Sequence, residues 1–253
     1  MPELLGKAAQ LFAELEHLRF TREIDGFTLA RLQKETRHLL KTDALHAYQI
    51  LGALEGFAGN IVEMRQNYEA ALHLTLDSLN KSIVLHNYAT SLVNVGYFSE
   101  SIALEIKSRS LVEMTESRLL SLVKVHVNAG LFHRAAQYLE KAADFDNELS
   151  VFVLSLTQFM DENGVCDEEL QQMIEIAIAV LHRHQFFNFY SGNVTMNFAG
   201  DEGARWFRYV IKVNRSVEEV VEMKYELACQ LAETDLPLKL LNNFMTTYEC
   251  VGE

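Results

Sequence analysis

Apolar residues fall three and four positions apart over residues 3–18 and again over 25–41, where Phe27, Leu29, Leu32 and Leu39 recur among polar side chains. That spacing gathers them on one face, so each segment predicts an amphipathic helix, with TREIDG separating the two. From residue 43 the periodicity falls into pairs: 43–64 with 67–80, 82–95 with 98–112, 115–129 with 132–144, and 148–161 with 166–182. The joints read RQNY, VGYF, AGLF and ENGVC, each short enough to force an antiparallel return.

Three of these joints carry a glycine, and Gly96, Gly130 and Gly164 stand 34 positions apart. A helix that ends within two residues of the next needs a left-handed residue, which glycine supplies without Cβ strain. Small residues flank the joints: Ala71, Ser101 and Ala135 five positions after, and Gly59, Ala89 and Val123 (with Gly59 inside a helix) seven before. One pair cannot bury its own apolar face, but stacked pairs share a core, which explains a fixed period.

After residue 186 the period changes. GNVTMNFAG sets Val194, Met196 and Phe198 against Thr195 and Asn197; after the turn DEG, Phe207, Tyr209, Ile211 and Val213 alternate with Trp206, Arg208 and Lys212. This predicts a β-hairpin. Ser216 and Glu219 then form a capping box opening a helix to about Glu233, whose Val217, Val220, Val221, Leu227, Ala228 and Leu231 are expected to cover the hairpin. Residues 236–251 fit helix or strand.

The repeat resembles the tetratricopeptide repeat family over residues 43–182. QNYEAAL (66–72) and GLFHRAAQYLEKA (130–142) match its Gly-aromatic-x-x-Ala pattern; GYFSESI has Ser101 at the small position, GVCDEEL has Glu169 there, and the family's end-of-repeat proline is missing. The expected fold is mainly α: an N-terminal helical cap over 1–42, a tetratricopeptide-like array over 43–185 and a small α+β unit, hairpin plus helix, over 186–253.

The resemblance implies binding of a peptide or protein segment in a concave groove lined by the first helix of each pair. Counting back from the joints gives Asn60, Glu63 and Met64, then His86, Thr90 and Asn94, then Lys124 and Asn128, then Gln158 and Glu162. Asn94 and Asn128 hold equivalent positions, two residues before their glycines. An asparagine amide both donates and accepts, so it can pair with an extended backbone; capping a helix end is the plainer role. The basic clamp with which some relatives grip a terminal carboxylate is missing, Lys124 standing alone.

Composition narrows the partners. The formal charge is −13, which disfavours a broad nucleic-acid surface. Only Pro2 and Pro237 are prolines, in keeping with helices in series. Cys166, Cys229 and Cys250 are odd in number and widely spaced, which suits a reducing cytoplasm. The first residues lack a basic leader and no apolar run reaches spanning length, so neither a signal peptide nor a membrane is expected, and the sequons at Asn80, Asn193 and Asn214 read as chance.

Residues 142–182 lack Lys and Arg but carry Asp144, Asp146, Glu148, Asp161, Glu162, Asp167, Glu168, Glu169 and Glu175; the adjoining hairpin carries Arg205, Arg208, Lys212 and Arg215. Internal charge pairing is the expectation. The second reading is a contact surface of Trp206, Arg208 and Lys212, for a partner, for self-assembly or for a nucleic acid. His182 and His184, two apart on a helix, point some 200° from each other and suit no shared metal ion; they read as surface or hinge residues, as do His126 and His133. With no phosphate loop, nucleophile elbow or zinc helix, no catalytic residue, metal or cofactor is assigned, and the sequence points to a non-catalytic adaptor or regulator.

Overall fold

The structure, a computed structural model, describes residues 2–18, 25–141, 148–187, 189, 193–201 and 204–251. Most of TREIDG, Asp144, Asp146 and the turn residues after Asp201 lie outside these. The described residues form twelve helices and three strands. Contacts divide the chain into two compact units, residues 1–113 and 114–253.

The first unit is all helix: α1 (Pro2–Leu18), α2 (Gly26–Leu39), α3 (Ala44–Phe57), α4 (Ile61–His73), α5 (Ser78–Asn94) and α6 (Phe98–Ser110). Asp25, Asp43 and Asp77 start α2, α3 and α5 by accepting backbone N–H bonds from Thr28, His46 and Asn80. Ala8, Leu11, Leu15 and Leu18 of α1 share a core with Leu32 and Leu39 of α2 and with Ala47, Ile50 and Leu54 of α3. Between α3 and α5, the buried Tyr68 ring of α4 stacks on Tyr88 at 4.7 Å and its hydroxyl lies 2.8 Å from Ser91 Oγ. Gly52 makes room for this ring, since a Cβ there would lie 2.7 Å from it.

The second unit begins with α7 (Glu116–Asn128), α8 (Phe132–Leu139), α9 (Glu148–Asn163) and α10 (Asp167–Arg183). β1 (Val194–Asp201), β2 (Ala204–Val213), α11 (Val217–Glu233), α12 (Leu238–Asn243) and β3 (Phe244–Cys250) follow. The expected hairpin is present, with Val194 opposite Ile211 and Phe198 opposite Phe207. The ambiguous tail is helix and then strand, and β3 joins β2 in parallel to complete the order β1-β2-β3. Phe207 packs against Phe132 of α8 and Phe152 of α9, while Phe159 of α9 meets Phe198 and Phe244. The fully buried Tyr209 hydroxyl donates to Asn128 O and that of Tyr248 to Ala177 O. The three strands thus share one core with α8–α10.

α11 departs from expectation. Its buried side chains are Val220, Met223 and Leu227, whereas Val217 and Val221 are 64% and 58% exposed. It packs on α10 and β3 rather than over the hairpin. Its apolar positions do share one face, but only the edge of that face carrying Val220 and Leu227, extended by Met223, is buried.

Four turns are built alike. Gly59, Gly96, Gly130 and Gly164 have φ between +64° and +84°. In each, the glycine N–H donates to the carbonyl three residues back and the next N–H to the one five back, at 2.8–3.1 Å. This satisfies carbonyls that the helix end would orphan. Gln185 repeats the turn after α10 at φ 55°. The first joint is therefore at Gly59, not RQNY, and QNYEAAL runs inside α4. Met64 then holds the position taken by Ser101 and Ala135 in the next turns; all three are fully buried, and Gly56 makes room for its sulfur.

Gly130 and Gly164 separate two costs. An alanine at either adopts a left-handed backbone, at about 1–2 kcal/mol. At Gly164 the Cβ meets open space, but at Gly130 it would lie 2.7 Å from Ile174 Cδ1 and 3.3 Å from Gln171 N. Gly130→Ala is expected to lose about 2–4 kcal/mol and Gly164→Ala about 1, read by urea unfolding. Equal losses would mean that α10 moves aside freely.

Candidate functional site

The first unit contains an open cleft enclosing about 400 Å³, solvent included. Its lining follows from helical spacing: Gln49, Ala53 and Phe57 recur every four residues along α3, and Asn87, Thr90, Ser91 and Asn94 share one face of α5. Phe12, Leu15 and Glu16 of α1 and Tyr68 of α4 complete it. Apolar surface thus meets three amides, three hydroxyls and one carboxylate.

Hydrogen bonds decide which of these polar groups remain available. Asn87 Nδ2 donates to Gln49 Oε1 at 2.8 Å, tying α5 to α3. Thr90 Oγ1 donates to His86 O, leaving its lone pairs free. Asn94 is the last residue of α5, yet its side chain caps nothing: Tyr97 N–H closes that end on Leu92 O. Among the described residues the Asn94 amide has no hydrogen-bond partner, so its donor and acceptor remain open at the cleft.

Of the six residues expected to line a groove in this unit, the structure brings Thr90 and Asn94 together and leaves four elsewhere. Asn60 donates to Glu55 at the start of α4, Glu63 is exposed on α4, and His86 turns toward α6. Met64 is fully buried. In the second unit Lys124 is exposed and Gln158 donates to Glu162 along α9. Asn128 is half-buried; its carbonyl accepts from Tyr209, while its side-chain amide is unpaired among the described residues. Gln49, Asn87 and Glu16 were outside the expected set, since their place depends on how separate helices meet.

The face of α5 turned to α6 is also polar. His86 Nδ1 lies 2.9 Å from Glu105 Oε2 and the Arg109 guanidinium pairs with Glu105 Oε1. Both Glu105 and Arg109 are buried, and Arg109 Nε has no partner. Burial pushes the Glu105 carboxyl up, but the hydrogen bond from His86 and the nearby cations outweigh it and hold it below its ordinary value.

At the sheet, Trp206, Arg208 and Lys212 share one face of β2, as expected, but Arg208 is committed to Glu249 at 2.7 Å. Among the described residues, the ion pairs of the acidic helices are made with residues outside the hairpin. Glu168 pairs with Arg134, Glu169 with Lys239, and Asp161 and Asp167 with His133. Arg205 lies over the Phe198 ring at 3.6 Å, and neither it nor Lys212 has a carboxylate partner among the described residues.

Asp167 does more than open α10. Its two oxygens accept the backbone N–H groups of His133 and Arg134 at 2.9 and 3.0 Å, capping α8 from another helix. Partial burial opposes charge on His133, but its bonds to Asp167 and Asp161 prevail and raise its pKa. His126 is buried rather than at the surface, donating from Nδ1 to Leu122 O, and burial depresses its pKa. His182 stacks on Phe187, and His184 pairs with Glu226. Among the described residues no His, Cys, Asp or Glu group is arranged to hold a metal ion, and no helix is long and apolar enough to cross a membrane.

Comparison with family models, with curated proteins and with solved structures gives no match.

Proposed function

We propose that the chain is a non-catalytic adaptor or regulator that binds a peptide or protein segment, its helix pairs forming a tetratricopeptide-like array and its cleft the binding groove. The observation that carries this reading is the uncommitted Asn94 amide beside an apolar surface. A backbone peptide group offers one N–H and one C=O, the pair that one such amide can meet. Thr90 supplies a further acceptor, and Phe12, Phe57 and Leu15 supply apolar contact for a side chain. The three free cysteines fit a reducing cytoplasm as the place of action.

The test compares wild type with Asn94→Ala and Asn128→Ala in affinity capture from the source cell's lysate, with thermal midpoints alongside. Asn94→Ala is expected to weaken capture of a cleft-bound partner about tenfold, the value of one lost polar pair, with the midpoint nearly unchanged. Undiminished capture by Asn94→Ala would remove the cleft from consideration. Loss only in Asn128→Ala would move the contact to the second unit.

A further inference from the structure

One face of α5 runs on past the cleft. At about 100° per residue, Leu79, Ile83, Asn87, Thr90 and Asn94 fall within about 80° of arc. None of the five is buried, whereas Val84, Leu85, Tyr88 and Leu92 on the far side are. Asn87, Thr90 and Asn94 line the cleft, so Leu79 and Ile83 carry the same strip beyond it toward the start of the helix. These two are 56% and 45% exposed, and Leu76, just before the Asp77 cap, is 99% exposed. The strip is polar over one half and apolar over the other, and apolar exposure gathered in one place marks an interaction site.

The two halves together select the form of the occupant. The Asn94 amide needs a backbone N–H or C=O that is not already bonded. A docked helix, a second copy of α5 included, has satisfied those groups internally and would leave the amide idle. An extended segment keeps them available.

Spacing agrees with an extended chain. Leu79 and Ile83 stand four residues apart on the helix, about 6 Å along its axis. Alternate side chains of an extended chain lie on one side, about 6.6 Å apart. From Ile83 to Asn94 is a further eleven residues, about 16 Å, which five extended residues span.

Charge favours apolar residues at the first half. Lys81 is the charged residue of α5 and lies on the opposite side of the helix. His86 borders the strip, but its Nδ1 is engaged by Glu105 at 2.9 Å. Glu16 of α1 is the carboxylate of the cleft itself.

We propose that the segment bound in the cleft is extended and carries two apolar residues separated by one position, which rest on Leu79 and Ile83. They lie about five residues from the peptide group held by Asn94. This rests on the groove proposed above and names the sequence feature that the groove reads.

The test selects random ten-residue peptides displayed on phage against the full chain, then measures the selected peptides by fluorescence anisotropy. They are expected to share two apolar residues separated by one position. Replacing both with serine should weaken binding at least tenfold. The variant Leu79→Ser, Ile83→Ser should do the same with its thermal midpoint nearly unchanged, and should no longer distinguish the two peptides. Asn94→Ala should weaken both peptides alike. Selection of no peptide would remove the groove and the proposal together. Peptides that are weakened by Asn94→Ala but bind the double serine variant unchanged would leave the groove standing and overturn the proposal. Apolar residues recurring three or four positions apart would show a bound helix and overturn it. A contact at Leu79 and Ile83 that Asn94→Ala leaves intact would overturn it too, since the apolar half would then act without the cleft.

Discussion

Replacing Glu105 by alanine is expected to remove about 3–5 kcal/mol from the first unit, because it strands a buried charge. Arg109 is 9% exposed, its Nε is already without a partner, and Glu105 is its acidic partner there. The double change Glu105→Leu, Arg109→Met removes both charges and should cost far less than the single one, or even stabilise. Hydrogen exchange in α5 and α6 is the suitable readout, since the single tryptophan, Trp206, reports on the other unit. A double variant as unstable as the single one would show that shape, not charge, holds these helices.

The pair also sets an acid limit. The Glu105 pKa is lowered from 4.5, so the unfolded chain takes up this proton first as pH falls. Its contribution is complete above about pH 4.5 and is lost as pH drops through the lower folded value.

Asp167→Asn should cost about 2–4 kcal/mol in the second unit. Both carboxylate oxygens accept backbone N–H bonds and one also meets the His133 ring, whereas an asparagine has a single acceptor and turns an NH₂ toward a donor. His133 gives this joint a pH dependence of opposite sign. Its pKa is raised above 6.5, so its contribution is complete below about pH 6.5 and is lost as pH rises through the higher folded value. In Asp167→Asn the His133 midpoint, followed by NMR, should move back toward 6.5 and the thermal midpoint should vary less with pH over that window. An unmoved midpoint would assign the shift to Asp161.

How much of this could be read from the sequence depended on range. Glycine turns at 96, 130 and 164 were legible because a local backbone need selects glycine. Gly59 was not, because a glycine seven positions before a wrongly placed joint looks like a packing residue. Thr90 and Asn94 lie within one helical face of a recognised turn. By contrast, the Asn87–Gln49 bond spans 38 residues and depends on how α3 and α5 are set against each other. The bonds from Asp167 to the start of α8 span 33 and 34 residues and depend on the same kind of long-range placement.

The parallel pairing of β3 with β2 has a consequence for the order of assembly during synthesis. In the first unit the helices meet neighbours close in the chain; Arg65 with Glu100 and Asn87 with Gln49 span 35 and 38 residues. Such contacts close cheaply and can form as the chain emerges. The second unit has no such liberty. Asn128 waits for Tyr209, 81 residues later, and Ala177 waits for Tyr248, 71 later. Until β3 arrives, the aromatic face of α8 and α9 stands without its complete cover, which makes the interval before the last strand the period when this chain most needs a chaperone.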